Sequence, residues 1–381
     1  MASRLPAAPP VLAGFSYIRP LGTGGFADVF LFEQDLPRRP VAVKVMLQDV
    51  VDDGLLRMFN AEADVMARLS AHPSILTIYQ ASVSADGRPY IVMEYCPRSL
   101  STRYRREVIP VPEVLSVGIR ISSALETAHR SGLLHRDIKP SNILVTAFGS
   151  PVLSDFGIAA SLTARADGEV FALSVPWSAP EVIDEQVPGS IASEVWSLGA
   201  TIYSLLAGRS PFEDTDKQRN TRELLKSRIR RARYVPVARA DVPPSLEAVL
   251  RRALAKDPAD RHVTVAELAR ELQLVQRELG LLHTPLEVAV DEWALSATPI
   301  DFHDDRLRGP ARPTVDRVSA RRTRTRSPRA LTAESPDDAV LSDAQNTPAG
   351  LRPRTIALIC IGAAIAAGAL TAAILVALQG L

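Results

Sequence analysis

The sequence predicts an α+β fold of two unequal lobes, followed by a polar linker and one long apolar helix. Three observations predict it. Residues 15–95 hold short apolar, β-branched runs of strand type, and residues 111–280 hold longer stretches with apolar residues at helical spacing. Beyond about residue 295 the composition turns polar, until an uncharged apolar run appears at 356–378. A β-rich half beside a helical half leaves a cleft between them, a common place for a ligand.

The elements follow in order. Residues 1–14 are rich in Ala and Pro and read as a loose leader, with no apolar run of signal-peptide type. Val41-Ala42-Val43-Lys44-Val45-Met46 and Pro89-Tyr90-Ile91-Val92-Met93-Glu94-Tyr95 read as strands of a lobe covering 15–95. Between them, Leu55, Met58, Phe59, Val65, Met66 and Leu69 fall at helical spacing. The second lobe, 96–280, contains helical patterns over Val114–Ser131, Ser193–Ala207, Leu246–Leu254 and Val265–Leu279. The linker is assigned to 281–354 and is expected to be largely disordered from its Arg, Pro, Ser, Thr and Asp content. Its first part is more apolar, and Leu286, Val288, Val290 and Trp293 are expected to pack back on the domain. Residues 355–378 are long enough to cross a bilayer as a helix. Arg352 and Arg354 precede that stretch and no charge follows it, so the large N-terminal part is expected on the cytoplasmic side, with 379–381 as a short outer tail. Small residues at four-residue spacing, Gly362 with Ala366 and Ala364 with Gly368, permit a homodimer through that helix.

Composition narrows the function. The chain has 381 residues, with 44 Lys and Arg against 43 Asp and Glu. This balance gives no ground for a nucleic-acid partner, and none is expected. The two cysteines, Cys96 and Cys360, lie far apart and support neither a disulfide framework nor zinc-ligand spacing.

The chemistry gathers in short motifs. Leu21-Gly22-Thr23-Gly24-Gly25-Phe26-Ala27-Asp28-Val29 is a Gly-rich turn between strands, either a plain hairpin turn or a loop whose backbone can approach phosphates. Lys44 lies inside an apolar strand, where an ammonium needs a partner or must reach solvent. Leu134-His135-Arg136-Asp137-Ile138-Lys139-Pro140-Ser141-Asn142 puts a base, a cation and a metal-ligating amide on one short loop, a set suited to phosphoryl transfer from a metal nucleotide. Asp155-Phe156-Gly157 follows, then Ala179-Pro180-Glu181.

In this order and spacing the motifs, over about residues 15–275, resemble the bacterial eukaryotic-like (Hanks-type) serine/threonine protein kinases, many of which are membrane-anchored. The resemblance implies a bilobal protein-kinase fold using ATP with Mg2+ (or Mn2+) to phosphorylate Ser and Thr hydroxyls of proteins, itself included. It gives Asp137 the substrate hydroxyl and its proton, Lys139 the charge on the transferred group, and Lys44 the α- and β-phosphates with Glu62 as ion-pair partner. Asn142 and Asp155 would hold metal. Leu21, Gly22, Gly24, Gly25, Val29, Ala42, Met93, Tyr95 and Leu144 would surround the nucleotide, with Glu94 to Cys96 as the hinge. Arg261 would pair with Glu181. Ser161, Thr163 and Ser174 are candidate phosphosites.

Three positions depart from the family pattern. Ala27 stands for the third glycine, Ser174 for the threonine that supports Asp137 and Lys139, and Glu194 for the aspartate that supports the catalytic loop. The last two put the rate of catalysis in question. The alternative reading is a pseudokinase scaffold, which binds without catalysing.

Overall fold

The computed structural model describes residues 4–25, 27–47, 67, 69–156 and 174–288. All belong to the first of two compact units, residues 1–302. Glu62, Phe26, Ser161, Thr163, Val290, Trp293 and the apolar stretch 355–378 lie outside the described residues. Among the described residues no helix is long and apolar enough to cross a membrane.

The N-terminal lobe is a five-stranded antiparallel sheet in the order β1-β2-β3-β5-β4. Its strands are β1 (Phe15–Thr23), β2 (Ala27–Gln34), β3 (Arg39–Met46), β4 (Ile78–Val83) and β5 (Pro89–Glu94). Side chains alternate across the pleat, so each strand contributes to two faces. Phe30, Phe32, Val41, Val43, Val45, Tyr90 and Val92 form one apolar face, completed by Leu12 from the leader. The opposite face carries Val29, Ala42, Lys44 and Met93, brought into line by the pairs Val29–Lys44 and Ala42–Met93. The alternation that builds the core therefore aims Lys44 away from it.

A small sheet of β6 (Arg98–Ser99), β7 (Ile143–Val145) and β8 (Pro151–Leu153) opens the C-terminal lobe. The described helices there are α1 (Leu100–Arg103), α2 (Val111–Arg130), α3 (Pro180–Ile183), α4 (Ile191–Ala207), α5 (Arg222–Arg231), α6 (Pro244–Ala253) and α7 (Val265–Glu278). Helix α4 starts at a reciprocal capping box between Ser190 and Ser193 and stops at Gly208, whose φ of 71° suits glycine. Most of its residues are buried, as in a helix surrounded by others. Its hydroxyls are accommodated by donation to the preceding turn: Ser197 to the Ser193 carbonyl, Thr201 to Ser197 and Ser204 to Ala200.

Close packing fixes how the helices approach. A Cβ on Gly199 would lie 2.8 Å from Ala253 Cβ, so α4 and α6 touch through that glycine. Gly118 plays the same part for α2, where a Cβ would meet Ile202 and Leu272 at 2.9 Å.

Residues 281–288, assigned from sequence to the linker, are tied to the domain. Thr284 exchanges hydrogen bonds with the Gln276 side chain, the Glu287 N–H donates to Ser123 Oγ (3.1 Å), and Leu286 packs on the core as expected. His72 Nε2–H donates to the Glu287 carbonyl at 2.6 Å while its Nδ1 accepts from the Ser74 N–H. Burial lowers the His72 pKa, in keeping with the neutral ring this pattern requires. The leader too is ordered by contacts: from Arg4 onward it is hydrogen-bonded to the sheet.

Candidate active site

The loop from His135 to Asn142 runs between α2 and β7, and the buried frame beneath it sets its shape. Arg136 has φ of 65°, a left-handed conformation rare outside glycine. Its N–H donates to Glu194 Oε1 on α4 at 2.6 Å. The other carboxylate oxygen, Oε2, accepts from His129 Nε2 near the end of α2, also at 2.6 Å. Glu194 is 2% exposed and thus spends its charge on these two donors. With glutamate where the family pattern has aspartate, the side chain reaches the loop and α2 together.

His135 links the loop to the Asp155 segment. Its Nδ1 accepts from the Asp137 N–H (3.2 Å), and its Nε2–H donates to the Ser154 carbonyl (2.9 Å). Its ring lies 4.7 Å from the buried Phe156 ring, centroid to centroid. Asn142 completes the loop by donating from Nδ2 to the Asp137 carbonyl (2.8 Å) and to Asp137 Oδ2 (3.1 Å).

The reactive groups face outward from this frame. Lys139 Nζ lies 2.6 Å from Asp137 Oδ2 and donates to Ser174 Oγ at 2.8 Å, so the serine hydroxyl holds the lysine beside Asp137. Lys44 Nζ crosses from β3 to Asp155 Oδ1 at 2.5 Å. Its expected partner Glu62 lies outside the described residues. The Lys44 ammonium holds the Asp155 carboxyl below its usual range; Lys44's hydrogen bond, His135 and Ser154 act with it. Cys96, beyond β5 at the hinge, is pushed up to about 12 by burial and then by Glu94, so its sulfur remains a thiol and not a nucleophile.

The expected nucleotide-side residues divide by element. Val29, Ala42, Lys44 and Met93 share the inner sheet face, Leu21 sits late in β1, Glu94 ends β5, and Leu144 belongs to β7. Gly22, Gly24 and Gly25 are exposed at the β1–β2 turn, which is closed by a Gly24 N–H to Ala27 carbonyl bond of 2.9 Å. Asn142 and Asp155 fit a hard cation: the Asn142 nitrogen is committed to Asp137, its carbonyl oxygen accepts one long bond from Ser141 Oγ (3.3 Å) and keeps a second lone pair, and Asp155 offers a carboxylate. Two such oxygens suffice for Mg2+ when phosphates and water complete the shell.

The predicted partnership at the end of the segment is present. Arg261, buried at 1% exposure, meets Glu181 through two bonds of 2.7 and 2.9 Å, donates to the Ala255, Ala192 and Lys256 carbonyls, and lies over Trp196. Sequence reasoning missed His129 and Ser154. A histidine near a helix end carries no local mark of such a role, and Ser154 contributes through its backbone carbonyl.

A base and cation on one loop, beside an aspartate of the same lobe that is paired with a lysine from the other lobe, define a nucleotide-dependent phosphotransferase site of the protein-kinase type. The sequence matches the protein kinase domain family over residues 15–272, and the chain belongs to that family. It is 41% identical over 302 residues to the serine/threonine-protein kinase PknK of Mycobacterium tuberculosis, covering 78% of this chain and 26% of that protein. It is 30% identical over 319 residues to the serine/threonine-protein kinase PrkC of Bacillus subtilis, covering 82% of this chain and 48% of that one. With the serine/threonine-protein kinase PknF of Mycobacterium tuberculosis the identity is 33% over 307 residues, 75% of this chain and 61% of the relative. The matched region is thus about a quarter of PknK and about half of PrkC.

The Lys44–Asp155 pair predicts a titration. A carboxyl lowered in the folded state stabilises the fold above its unfolded value of about 3.9 and loses that contribution as pH falls through the lowered value. Lys44→Met should therefore raise the Asp155 carboxyl pKa, followed by carbon NMR of labelled aspartate. The same Asp155 titration in both proteins would contradict the ion pair.

Proposed function

We propose that this chain transfers the γ-phosphoryl group of ATP to Ser and Thr hydroxyls of proteins, itself among them, with Mg2+ held at Asn142 and Asp155. The observation that carries the reading is the Asp137 carboxylate, partly exposed and held between Lys139 (2.6 Å) and Asn142 (3.1 Å). Asp137 Oδ orients the acceptor hydroxyl and takes its proton as the oxygen attacks. Lys139, steadied by Ser174, offsets negative charge gathering on the transferred group. Lys44 holds the phosphates that remain with the nucleotide, exchanging part of its contact with Asp155 for them. A bound divalent cation supplies charge neutralisation at the phosphates.

The proposed setting is the cell membrane, with the catalytic domain on the cytoplasmic face. The support is sequence: the uncharged stretch 355–378 with Arg352 and Arg354 just before it.

Two measurements check these readings. Incubation of the protein with labelled ATP and Mg2+ should give phosphoserine or phosphothreonine, while Asp137→Asn and Asp155→Asn each lose at least about 100-fold in rate. Equal incorporation by the variants would defeat the catalytic assignment and leave a binding scaffold. In alkaline carbonate extraction, the full chain should remain with the membrane pellet and a chain ending before Thr355 should be released. Release of both would contradict the anchor.

A further inference from the structure

The β1–β2 turn is rich in glycine. Its glycines are exposed, and a Cβ built on Gly22 or Gly25 would meet nothing within 4 Å. Yet the residue that closes it, Asp28, is a carboxylate with only 1% exposure. Its side chain lies on the outer face of the sheet, away from Lys44, because it pairs in register with Val45. A buried carboxylate needs donors. They come from the leader: Arg4 Nη2 lies 2.5 Å from Asp28 Oδ1, and the Ala7 N–H donates to Oδ2 at 2.7 Å. The same Arg4 nitrogen reaches the Gly24 carbonyl at 3.4 Å. One guanidinium therefore touches both limbs of the turn.

The leader is fixed again further on. The Ala8 carbonyl accepts from Arg88 Nη2 at 3.0 Å. Arg88, 6% exposed, is oriented in turn by Asp86, whose carboxyl it and Ser84 hold down to about 2. Leu12 is buried among Phe30, Val43 and Tyr90. The segment 4–12 is thus anchored at the turn, at the β4–β5 connection and in the sheet's apolar face.

We propose that residues 4–12 form a strap that positions the glycine-rich loop over the nucleotide phosphates, with Asp28 as the positioning residue through which it acts. The inference rests on the nucleotide-binding reading above. Freeing the strap leaves the sheet and the catalytic loop in place but lets the turn sample more conformations, so nucleotide binding weakens while chemistry in the bound state persists. Arg4 keeps 43% of its side chain exposed, so the effect is moderate and not an all-or-none loss.

The test uses the full chain with Arg4→Ala, Asp28→Asn and both together. Hydrogen–deuterium exchange without nucleotide reads the turn, and steady-state kinetics reads its consequence. Arg4→Ala should speed exchange of the amides in 22–28 by about tenfold and raise KM for ATP about three- to tenfold, with kcat within about twofold. The double variant should add nothing beyond the larger single effect, since both changes remove one clamp. Unchanged exchange at 22–28 would overturn the proposal, as would faster exchange with KM unaltered. Faster exchange across the whole sheet with a lowered Tm would reduce the strap to a structural brace and also overturn it. Absence of ATP turnover in the unsubstituted protein would defeat the functional reading instead, while the exchange comparison would still decide whether the clamp exists.

Discussion

The carboxylate of Glu194 fixes the site, because it is where the catalytic loop meets the buried helix of the larger lobe. Arg136 pays about 1–2 kcal/mol to adopt its left-handed backbone, and its hydrogen bond to Glu194 sets the direction of the next residue, Asp137. Because the second Glu194 oxygen holds His129, the loop is referred to α2 and α4 at once. His135 then carries the same frame to Ser154 and Phe156, so Asp137 and Asp155 rest on one connected set of buried contacts.

This frame separates two kinds of polar group. The positioning groups are buried: Glu194 at 2% exposure is satisfied by two donors, and Arg261 at 1% by Glu181 and three carbonyls. The two carboxylates assigned to chemistry are open to solvent, Asp137 at 37% and Asp155 at 44%. Burial makes a charge specific in its partners and expensive to move. Exposure leaves Asp137 and Asp155 free to trade their contacts with Lys139 and Lys44 for a substrate. The departures at Ser174 and Glu194 fall on the positioning side: Ser174 Oγ accepts from Lys139 Nζ, and Glu194 accepts from the Arg136 N–H and His129.

The sequence was most legible where function and fold are local. Lys44, Asp137, Lys139, Asn142 and Asp155 could be assigned because they sit in motifs a few residues long. The pair Arg261–Glu181 followed from two such motifs once the family resemblance was drawn. Helices with a broad apolar face, such as α2, α4 and α7, were recognisable from periodicity. Helix α5 was not, because Arg222–Arg231 is mostly charged and buries only Leu225 and Ile229. What the sequence hid depends on tertiary partners. Nothing near Asp28 indicates that its carboxylate is buried, since its donors are Arg4 and Ala7. An Ala- and Pro-rich leader reads as loose because its anchors are one arginine, a few backbone groups and one leucine. The extension 281–288 is held likewise through Gln276, Ser123 and His72, none of which has a local signature.

The central claim is that Glu194 governs the placement of Asp137 without touching substrate. The direct measurement is kcat and KM for ATP in Glu194→Gln and Glu194→Leu, each first shown to be folded by circular dichroism. The glutamine carbonyl oxygen can still accept from the Arg136 N–H, so that variant should keep kcat within about fivefold. Leucine cannot accept, and its kcat should fall by about 100-fold with KM for ATP within about twofold. A folded leucine variant with unaltered kcat would contradict the account.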